Sequence, residues 1–353
     1  MTICLGVPKE TKPLEGRVAL TPTAVAELVA GGCKVLIQSG AGAGSGYVDD
    51  DYARGGAMLV YSAESLYGAA ELVVKVKEPI GRELEMLQSG QRLFSYLHLA
   101  ADPQLTEALC RIGLTAIAFE TVVEQGNLPL LQPMSEIAGR IAVQVGTHLL
   151  HTPQGGNGLL LGGVAGVERG HVVVLGGGHA GASSARLAAA MGARVSVFDL
   201  NPQRLGELQA AAPNIEARYA NAQDMREAAA DADLLIGAVL LPGAAAPRLL
   251  KREDIARMRP GSVLVDISVD QGGCIETTRP TTYDAPTYVE QGVTHFCVTN
   301  MPGAVPRSAS QALSGALMPY LRKLLREDWR EVPALAAAIN VDAGQVVHPA
   351  LKG

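Results

Sequence analysis

The chain has 353 residues, of which 48% are hydrophobic, 18% are charged and 4% are aromatic. This composition is typical of a soluble globular protein, and the length favours two domains over one. The formal net charge is −6. Because the sequence has no stripe of lysine and arginine with interleaved aromatic residues, we do not expect a nucleic-acid-binding surface.

The sequence shows no sign of export or of a membrane segment. The first eight residues lack the basic stretch and the long apolar run of a signal peptide. The longest apolar runs are interrupted well before about 18 residues, the length that spans a bilayer. The five cysteines are widely spaced, without a Cys-x-x-Cys pair, which favours reduced thiols over disulfides or a zinc site. We therefore expect a cytoplasmic protein without a metal site.

Short apolar segments alternate with helical segments in the first third of the chain. Thr21 is a typical helix N-cap, Pro22 suits the first helical position, and Gly31-Gly32 ends the helix. Because helices separate the apolar segments, we expect βαβ units and a mostly parallel sheet. Strands are predicted over 3–7, 34–38, 57–61, 72–77, 91–99 and 114–118.

A second series of strands follows a turn at 126–129, a helix over 134–150 and a glycine-rich loop over 152–170. A closing helix is predicted over 308–330. The strands of this second series are predicted over 171–175, 194–198, 234–237, 262–267 and 295–298.

These two series of strands predict an α/β fold with two Rossmann-like domains. Each domain would have a parallel twisted sheet flanked by helices, and an active-site cleft would lie between the domains. The second series forms a nucleotide-binding domain over 129–305. The flanking pieces, 1–128 and 306–353, would join into a discontinuous substrate domain.

The strand at 171–175 runs into a loop with the pattern Gly-x-Gly-x-x-Gly. Gly176 would make the tight turn, Gly178 would let the backbone approach a pyrophosphate, and Gly181 would let helix and strand pack closely. A helix is predicted to begin near Ala182, and its free N–H groups would face the phosphates. The pattern indicates a dinucleotide site; the alternative is a glycine-rich turn that has lost its ligand.

Asp199 closes the next predicted strand, near the spacing of about 20 residues at which an acid accepts the ribose hydroxyls. A carboxylate there would repel a 2′-phosphate, so NAD is expected rather than NADP. Arg204 is close in sequence and leaves the use of NADP open.

Ligands of open α/β sheets bind at the carboxyl ends of the strands, where this sequence has several polar residues. Lys77 ends the strand at 72–77, where an ammonium group could meet an anionic substrate. The alternative is that Lys75 and Lys77 are solvated on an edge strand. Arg17 follows a loop and could clamp a carboxylate with two hydrogen bonds, or else be an exposed loop cation.

His98 stands near the end of the strand at 91–99, and Asp270 ends a buried strand before Gly272-Gly273. Histidine is the natural acid or base near neutral pH, and paired glycines let a ligand approach closely. The alternatives are a core histidine with satisfied hydrogen bonds and an aspartate that caps a turn.

Taken together, ordered segments across nearly the whole chain resemble the alanine dehydrogenase family. So many matches in order are far more specific than any one motif. The segments are 6–10, 17–22, 75–79, 97–100, 133–140, the glycine loop, 237–243, 265–267, 270–273 and 300–302.

The resemblance implies NAD-dependent interconversion of L-alanine with pyruvate and ammonia by a homohexamer. It places Arg17 and Lys77 at the substrate carboxylate and carbonyl, and His98 and Asp270 at the catalytic positions. The expected cofactor-binding residues are Ser135, Gly176, Gly178, Ala180, Gly181, Asp199, Arg204, Val239, Leu240, Ile267, Asp270 and Met301.

In the reductive direction, His98 is expected to move protons as ammonia adds to pyruvate and water leaves. Asp270 would orient the amine and balance the iminium charge. The alternatives are the NAD-binding subunit of a transhydrogenase, a non-catalytic NAD-binding regulator, and an opine or lysine-pathway dehydrogenase with a larger second substrate. The joint presence of Lys77, His98 and Asp270 argues against the first alternative.

Overall fold

A computed structural model describes residues 3–239 and 246–352. The chain divides into two compact units. The first unit is Met1–Met134 with Gly303–Gly353, and the second unit is Ser135–Pro302. The substrate and nucleotide roles of the two domains stay predictions.

Strands and helices alternate along most of the described chain. The strands are β1 (Cys4–Val7), β2 (Lys34–Gln38), β3 (Met58–Val60), β4 (Leu72–Val74), β5 (Arg92–Ser95), β6 (Thr115–Ala118), β7 (His171–Leu175), β8 (Arg194–Asp199), β9 (Ile215–Tyr219), β10 (Leu234–Gly237), β11 (Val263–Asp266), β12 (Thr287–Glu290), β13 (Val293–Phe296), β14 (Ile339–Asp342) and β15 (Gln345–Val346). The helices are α1 (Pro22–Ala30), α2 (Asp49–Arg54), α3 (Ala63–Ala69), α4 (Arg82–Met86), α5 (Pro103–Ile112), α6 (Gln132–Leu149), α7 (His179–Ala190), α8 (Pro202–Ala211), α9 (Ala222–Ala230), α10 (Arg252–Ile255), α11 (Pro306–Leu324) and α12 (Pro333–Ala337).

The sheet of the first unit has the strand order β15-β14-β6-β5-β4-β1-β2-β3. Strands β1 to β6 pair in parallel, whereas β14 is antiparallel to both β6 and β15. The strand order reverses between β1 and β4. In open α/β sheets, ligands bind at the carboxyl ends of the strands at such a reversal.

The sheet of the second unit has the order β12-β13-β11-β10-β7-β8-β9, and only β12 among these strands is antiparallel to its neighbour. Its order reverses between β7 and β10, so the loops after these two strands occupy the position where a ligand is expected. Every residue of β7 and β10 is buried, as parallel sheets covered on both faces require. The α/β fold with two mostly parallel sheets is confirmed.

The predicted helix start at Pro22 is confirmed. Thr21 caps α1, because its Oγ1 accepts a hydrogen bond from the amide of Ala24 at 3.4 Å. The helix after the glycine loop begins earlier than predicted, at His179, because Gly178 takes the N-cap position. The sequence pattern did not predict β9, β12, β14 and β15. Among the described helices, none has the length and apolar character needed to cross a membrane.

Two predicted strands end three or four residues earlier than expected, because carboxylates bind the amides that would have continued them. The strand predicted over 72–77 ends at Val74, and Glu10 Oε1 accepts from the Val76 amide at 2.6 Å. The strand predicted over 91–99 ends at Ser95. Beyond it, Glu120 Oε1 accepts from the His98 amide at 2.5 Å.

Candidate functional site

The loops after β1 and β4 carry Arg17 and Lys77 to the strand reversal of the first unit. Arg17 is only 3% exposed, so the alternative of an exposed loop cation is wrong. Its guanidinium pairs with Glu15 through two bonds, from Nε to Oε1 at 2.7 Å and from Nη2 to Oε2 at 2.6 Å. Its Nη1 lies 3.3 Å from Met134 Sδ. Burial opposes the guanidinium charge, but the hydrogen bonds that Glu15 accepts and its negative charge outweigh burial and raise the pKa of Arg17.

Lys77 is half-buried near the Arg17 cation. Burial lowers the pKa of Lys77, and the positive charge of Arg17 lowers it further, while Glu78 opposes the shift. The two cations therefore act on the same region. An anion bound beside Lys77 would reduce the repulsion between the two cations, which the Glu15 and Glu78 carboxylates already offset in part.

Lys75 belongs to a buried ionic cluster rather than to the solvent. It is 1% exposed, and its Nζ lies 3.3 Å from Glu10 Oε2 and 3.1 Å from Glu83 Oε1. Strand β4 lies between β1 and β5, so the alternative of solvated lysines on an edge strand is wrong. Burial raises the pKa of Glu10, although the Lys75 cation opposes the shift.

The Glu10 carboxylate also reaches the backbone beside Lys77. It accepts from the Val76 amide at 2.6 Å and from the Lys77 amide at 3.3 Å. The loop after β1 and the chain after β4 are therefore joined by one buried carboxylate, which fixes the backbone from which the Lys77 side chain extends.

His98 follows β5 in a left-handed backbone conformation, with φ at +50°. Its side chain is 50% exposed, so the alternative of a satisfied core histidine is wrong. The ring stacks on Tyr96, with centroids 6.1 Å apart and an interplanar angle of 9°. An exposed imidazole on a fixed turn is suited to exchange protons with a bound molecule.

Tyr96 connects His98 with the cationic pair. It is buried, and its hydroxyl donates to the carbonyl oxygen of Leu130 at 2.6 Å. Burial raises the pKa of Tyr96, and the Arg17 cation opposes that shift. The described residues of the first unit thus place Arg17, Lys77, Tyr96 and His98 in one neighbourhood.

The glycine loop of the second unit has the tight geometry that its residues allow. Gly176 has φ of +99°, and a Cβ there would lie 2.6 Å from the Ala238 carbonyl oxygen. A Cβ on Gly181 would lie 1.8 Å from the Gly176 carbonyl oxygen, so a side chain at this position would push α7 away from β7. Gly178 is the N-cap of α7, and the free amides of the first helical turn offer hydrogen bonds to an anion.

Asp199 and Arg204 flank this loop. Asp199 Oδ2 accepts from the Gly177 amide at 2.5 Å, and its Oδ1 accepts from the Asn201 amide at 2.7 Å. A Cβ on Gly178 would lie 3.2 Å from an Arg204 terminal nitrogen. The carboxylate, the guanidinium and the loop are therefore immediate neighbours.

Helix α6 approaches the glycine loop closely. A Cβ on Gly139 would lie 2.1 Å from the Ala180 carbonyl oxygen. The Ser184 hydroxyl donates to the Gly139 carbonyl oxygen at 2.8 Å, and the Ser183 hydroxyl donates to that of Glu136 at 3.0 Å. These contacts join the start of α7 to the segment of α6 that begins with Ser135.

Most of the remaining residues expected at the cofactor follow neighbouring strands. Val239 follows β10 and Ile267 follows β11. The Ser268 hydroxyl donates to the Val239 carbonyl oxygen at 2.7 Å and joins these two segments. Met301 is buried after β13, and its carbonyl oxygen accepts from the Tyr283 hydroxyl at 2.9 Å. Leu240 lies outside the described residues.

Contrary to the sequence prediction, Asp270 does not end a strand. The strand ends at Asp266, and Asp270 lies in a short 3₁₀ turn with an exposed position. The capping carboxylate is that of buried Asp266, which accepts from the Ser268 amide at 2.9 Å and from the Thr278 hydroxyl at 2.7 Å. Burial raises the pKa of Asp266, although these hydrogen bonds oppose the shift.

No cluster of three or more metal-ligating side chains occurs within residues 3–239 and 246–352. The five cysteines are free thiols, and three of them are buried.

Known proteins and family models match this chain over nearly its full length. Residues 6–138 match the family model "Alanine dehydrogenase/PNT, N-terminal domain", and residues 142–349 match "Alanine dehydrogenase/PNT, C-terminal domain". An alanine dehydrogenase of Mycobacterium tuberculosis is 49% identical over 97% of this chain and 94% of its own. One of Bacillus subtilis is 46% identical over 98% of this chain and 93% of its own.

The chain belongs to the alanine dehydrogenase/PNT family.

Two solved structures have the same fold as this chain. An L-alanine dehydrogenase, 50% identical, superposes with a TM-score of 0.95 and covers 99% of this chain and 98% of that one. A transhydrogenase from Sinorhizobium meliloti, 28% identical, superposes with a TM-score of 0.85 over 98% of this chain and 99% of that one. Since both kinds of protein share the fold, the fold alone does not decide between their activities.

Sequence reasoning missed four residues near the candidate site: Glu10, Glu15, Tyr96 and Glu120. Tyr96 had a local signal, because it lies two residues before His98. Glu15 had one too, because it lies two residues before its partner Arg17. Glu10 and Glu120 had none, since the amides that they bind lie on other segments of the chain.

Proposed function

We propose that the chain is an NAD-dependent L-alanine dehydrogenase, which reversibly converts L-alanine and water to pyruvate and ammonia. Identity of 45–49% with several curated alanine dehydrogenases over at least 97% of the chain supports this proposal. The observation that carries it is the placement of the Arg17 cation near both Lys77 and Tyr96, together with the stack of the His98 ring on Tyr96. A small 2-oxo acid needs a site for its carboxylate and a proton-transfer group beside its carbonyl.

Arg17 and Lys77 would bind the anionic end of alanine or pyruvate. Glu15 holds the Arg17 guanidinium in a fixed plane, and Glu10 holds the Lys77 backbone. The Arg17 guanidinium and the backbone that carries Lys77 are therefore fixed before a substrate arrives, which reduces the entropy lost on reaching a reactive geometry.

His98 would transfer protons at the substrate oxygen and nitrogen. In deamination, it would accept a proton from the water that attacks the imine carbon, and return a proton to the departing amine. Asp270 would orient the amine and offset the positive charge of the iminium, a role proposed from the resemblance and from its carboxylate chemistry.

Two features of the second unit suit the binding of NAD. The glycine loop and the first turn of α7 present backbone amides where a pyrophosphate would lie, and Asp199 provides a carboxylate beside the loop for the ribose hydroxyls. Bound NAD would accept the hydride from the α-carbon of alanine. Four of the described residues would line this site, and Ala180 and Arg204 would adjoin it. The four are Ser135, Val239, Ile267 and Met301; Leu240, expected there from the resemblance, lies outside the described residues.

The activity is tested by recording NADH absorbance after enzyme, pyruvate and ammonium are mixed, with each component omitted in turn. We expect NADH to be consumed only in the complete mixture, with L-alanine as the product. NADH that binds but is never consumed would overturn the proposal in favour of a transhydrogenase-like or regulatory protein. Transfer from NADH to an NADP analogue in the presence of a partner subunit would indicate the first of these. Consumption with larger amino acids in place of ammonium would indicate an opine-type or lysine-pathway enzyme.

Asp199→Ser is expected to reduce the preference for NAD over NADP by about 10- to 100-fold in the ratio of kcat/KM values. The substitution removes charge-assisted bonds worth about 1.5–3 kcal/mol to the ribose, and it removes the charge that would repel a 2′-phosphate. Arg204 would then be available to that phosphate. Steady-state kinetics with both cofactors measure the ratio.

The double variant Asp199→Ser/Arg204→Ala is the matched control, because it loses the carboxylate without keeping the cation. We expect it to bind NAD weakly and to gain no use of NADP. An unchanged cofactor ratio in the single variant would contradict the role of Asp199. The homohexamer and the cytoplasmic location stay predictions.

A further inference from the structure

Glu120 lies at the carboxyl end of β6, in a short 3₁₀ turn over Phe119–Thr121. Its side chain is 16% exposed. Glu120 Oε1 accepts from the Leu97 amide at 3.2 Å and from the His98 amide at 2.5 Å, and Oε2 lies 3.3 Å from the Leu97 amide. One carboxylate on a neighbouring strand end therefore binds two consecutive amides, one of which belongs to His98 itself.

These bonds account for the unusual backbone of His98. A residue with a Cβ pays a free-energy cost in the left-handed region, and His98 adopts it with φ of +50° and ψ of +37°. Bonds from amides to an ionised carboxylate are among the stronger hydrogen bonds in proteins. The left-handed conformation persists because these hydrogen bonds hold it. Residues with strained backbones of this kind are common at functional sites.

The same carboxylate faces the imidazole ring. His98 Nδ1 lies 4.0 Å from Glu120 Oε1, and a face of the ring stacks on Tyr96. His348 also lies near this carboxylate. Burial lowers the pKa of His348, and the negative charge of Glu120 opposes that shift. Glu120 therefore determines both where the His98 backbone turns and what charge the ring meets on its Nδ1 side.

We propose that Glu120 is a positioning residue that holds the His98 imidazole in its reactive orientation and faces the imidazolium formed when His98 accepts a proton. This inference rests on the proposed acid–base role of His98. The proton is taken at the ring nitrogen remote from Glu120, as the oxygen of the attacking water forms its bond to the imine carbon. The Glu120 carboxylate itself exchanges no proton in this step.

The first test is Glu120→Gln, with kcat and the KM values for pyruvate and NADH measured separately. Glutamine is nearly the same shape and keeps one oxygen that can accept an amide hydrogen bond, but it has no charge. We expect kcat to fall on the order of 10- to 100-fold, the range for losing hydrogen bonds to a charged group, while both KM values stay within about twofold. Glu124→Gln is the matched control, since the Glu124 carboxylate accepts from the Tyr320 hydroxyl at 2.6 Å; its kcat is expected to be unchanged.

A double-variant comparison separates positioning from a merely structural effect. If Glu120 acts through His98, Glu120→Gln should cause no further loss of kcat in the His98→Ala background. Independent losses that multiply would overturn the proposal. If Glu120→Gln does not fold, Glu120→Asp replaces it, and the retained charge should leave kcat closer to that of the unaltered enzyme than the charge-free Glu120→Ala does.

The two hypotheses fail in different ways. Full turnover by His98→Ala would remove the acid–base role of His98, and with it the basis of this inference. An inactive His98→Ala together with a fully active, folded Glu120→Gln would leave that role intact and refute only the role of Glu120.

Discussion

His98→Ala is expected to lower kcat by about 10²- to 10⁴-fold, the usual contribution of a positioned general acid or base. The imidazole is half exposed after the end of β5, where it stacks on Tyr96. The positive charge of Arg17 also acts on Tyr96. Alanine removes the proton-transfer group but keeps the backbone amide that Glu120 binds. Binding of NADH, measured by its fluorescence, should be unchanged, because the proposed nucleotide site belongs to the second unit.

The exposed His151 provides the control for this experiment. His151→Ala should keep the kcat of the unaltered chain. Near-normal turnover by His98→Ala, with NADH still bound and the far-ultraviolet circular dichroism preserved, would show that His98 does not transfer the protons. In that case Lys77, whose pKa is lowered by burial and by Arg17, would become the next group to test.

Lys75→Met is expected to lower the free energy of unfolding by about 3–5 kcal/mol, the cost of removing one partner of a buried ion pair. Lys75 Nζ contacts the Glu10 and Glu83 carboxylates, and it also donates to the Glu78 carbonyl oxygen at 3.3 Å. Methionine fills similar space but leaves two buried carboxylates without their common cation. Urea unfolding followed by circular dichroism near neutral pH measures the difference.

The destabilisation caused by Lys75→Met should increase as pH rises. Burial already raises the pKa of Glu10 with Lys75 present, and loss of the cation would raise it further. The folded variant would then bind more protons than the unfolded chain above a pH of about 4.3, the usual glutamate pKa. Its free energy of unfolding should therefore fall as pH rises, so its deficit relative to the unaltered chain should be smaller near pH 5 than near pH 8.

Lys34→Met is the control for Lys75→Met, because Lys34 is an exposed lysine in β2. We expect its effect on the free energy of unfolding to stay within about 0.5 kcal/mol, as for ordinary surface substitutions. An equally small effect from Lys75→Met would mean that the cluster is hydrated or shares a proton in the folded chain, and that the ion pairs contribute little.

Features that depend on neighbouring residues in the chain could be predicted from the sequence. The glycine loop is one example, because its strand and its helix lie within a few residues of each other. Its positive φ at Gly176 and the close approach at Gly181 follow from the absence of side chains. The start of α1 at Pro22 is a second example, since a threonine and a proline at adjacent positions determine it.

Features that depend on distant residues could not be predicted in this way. The ends of β4 and β5 are determined by Glu10 and Glu120, which are separated from the bonded amides by 66 and 22 residues. The burial of Lys75 depends likewise on carboxylates from two other segments. Because apolar periodicity contains no information about such partners, it extends both strands too far and suggests that the lysines are solvated.

The contact between Gly139 and Ala180 limits how this protein can be stabilised by substitution. Glycine inside a helix costs about 1 kcal/mol relative to alanine. On helix propensity alone, Gly139→Ala in α6 would therefore be expected to stabilise the protein. A methyl group there would lie 2.1 Å from the Ala180 carbonyl oxygen, which requires one helix to move. Such a shift would displace Ser135 relative to the glycine loop. A propensity-based redesign should therefore leave position 139 unchanged and begin with Gly206, where a Cβ meets no atom within 4 Å.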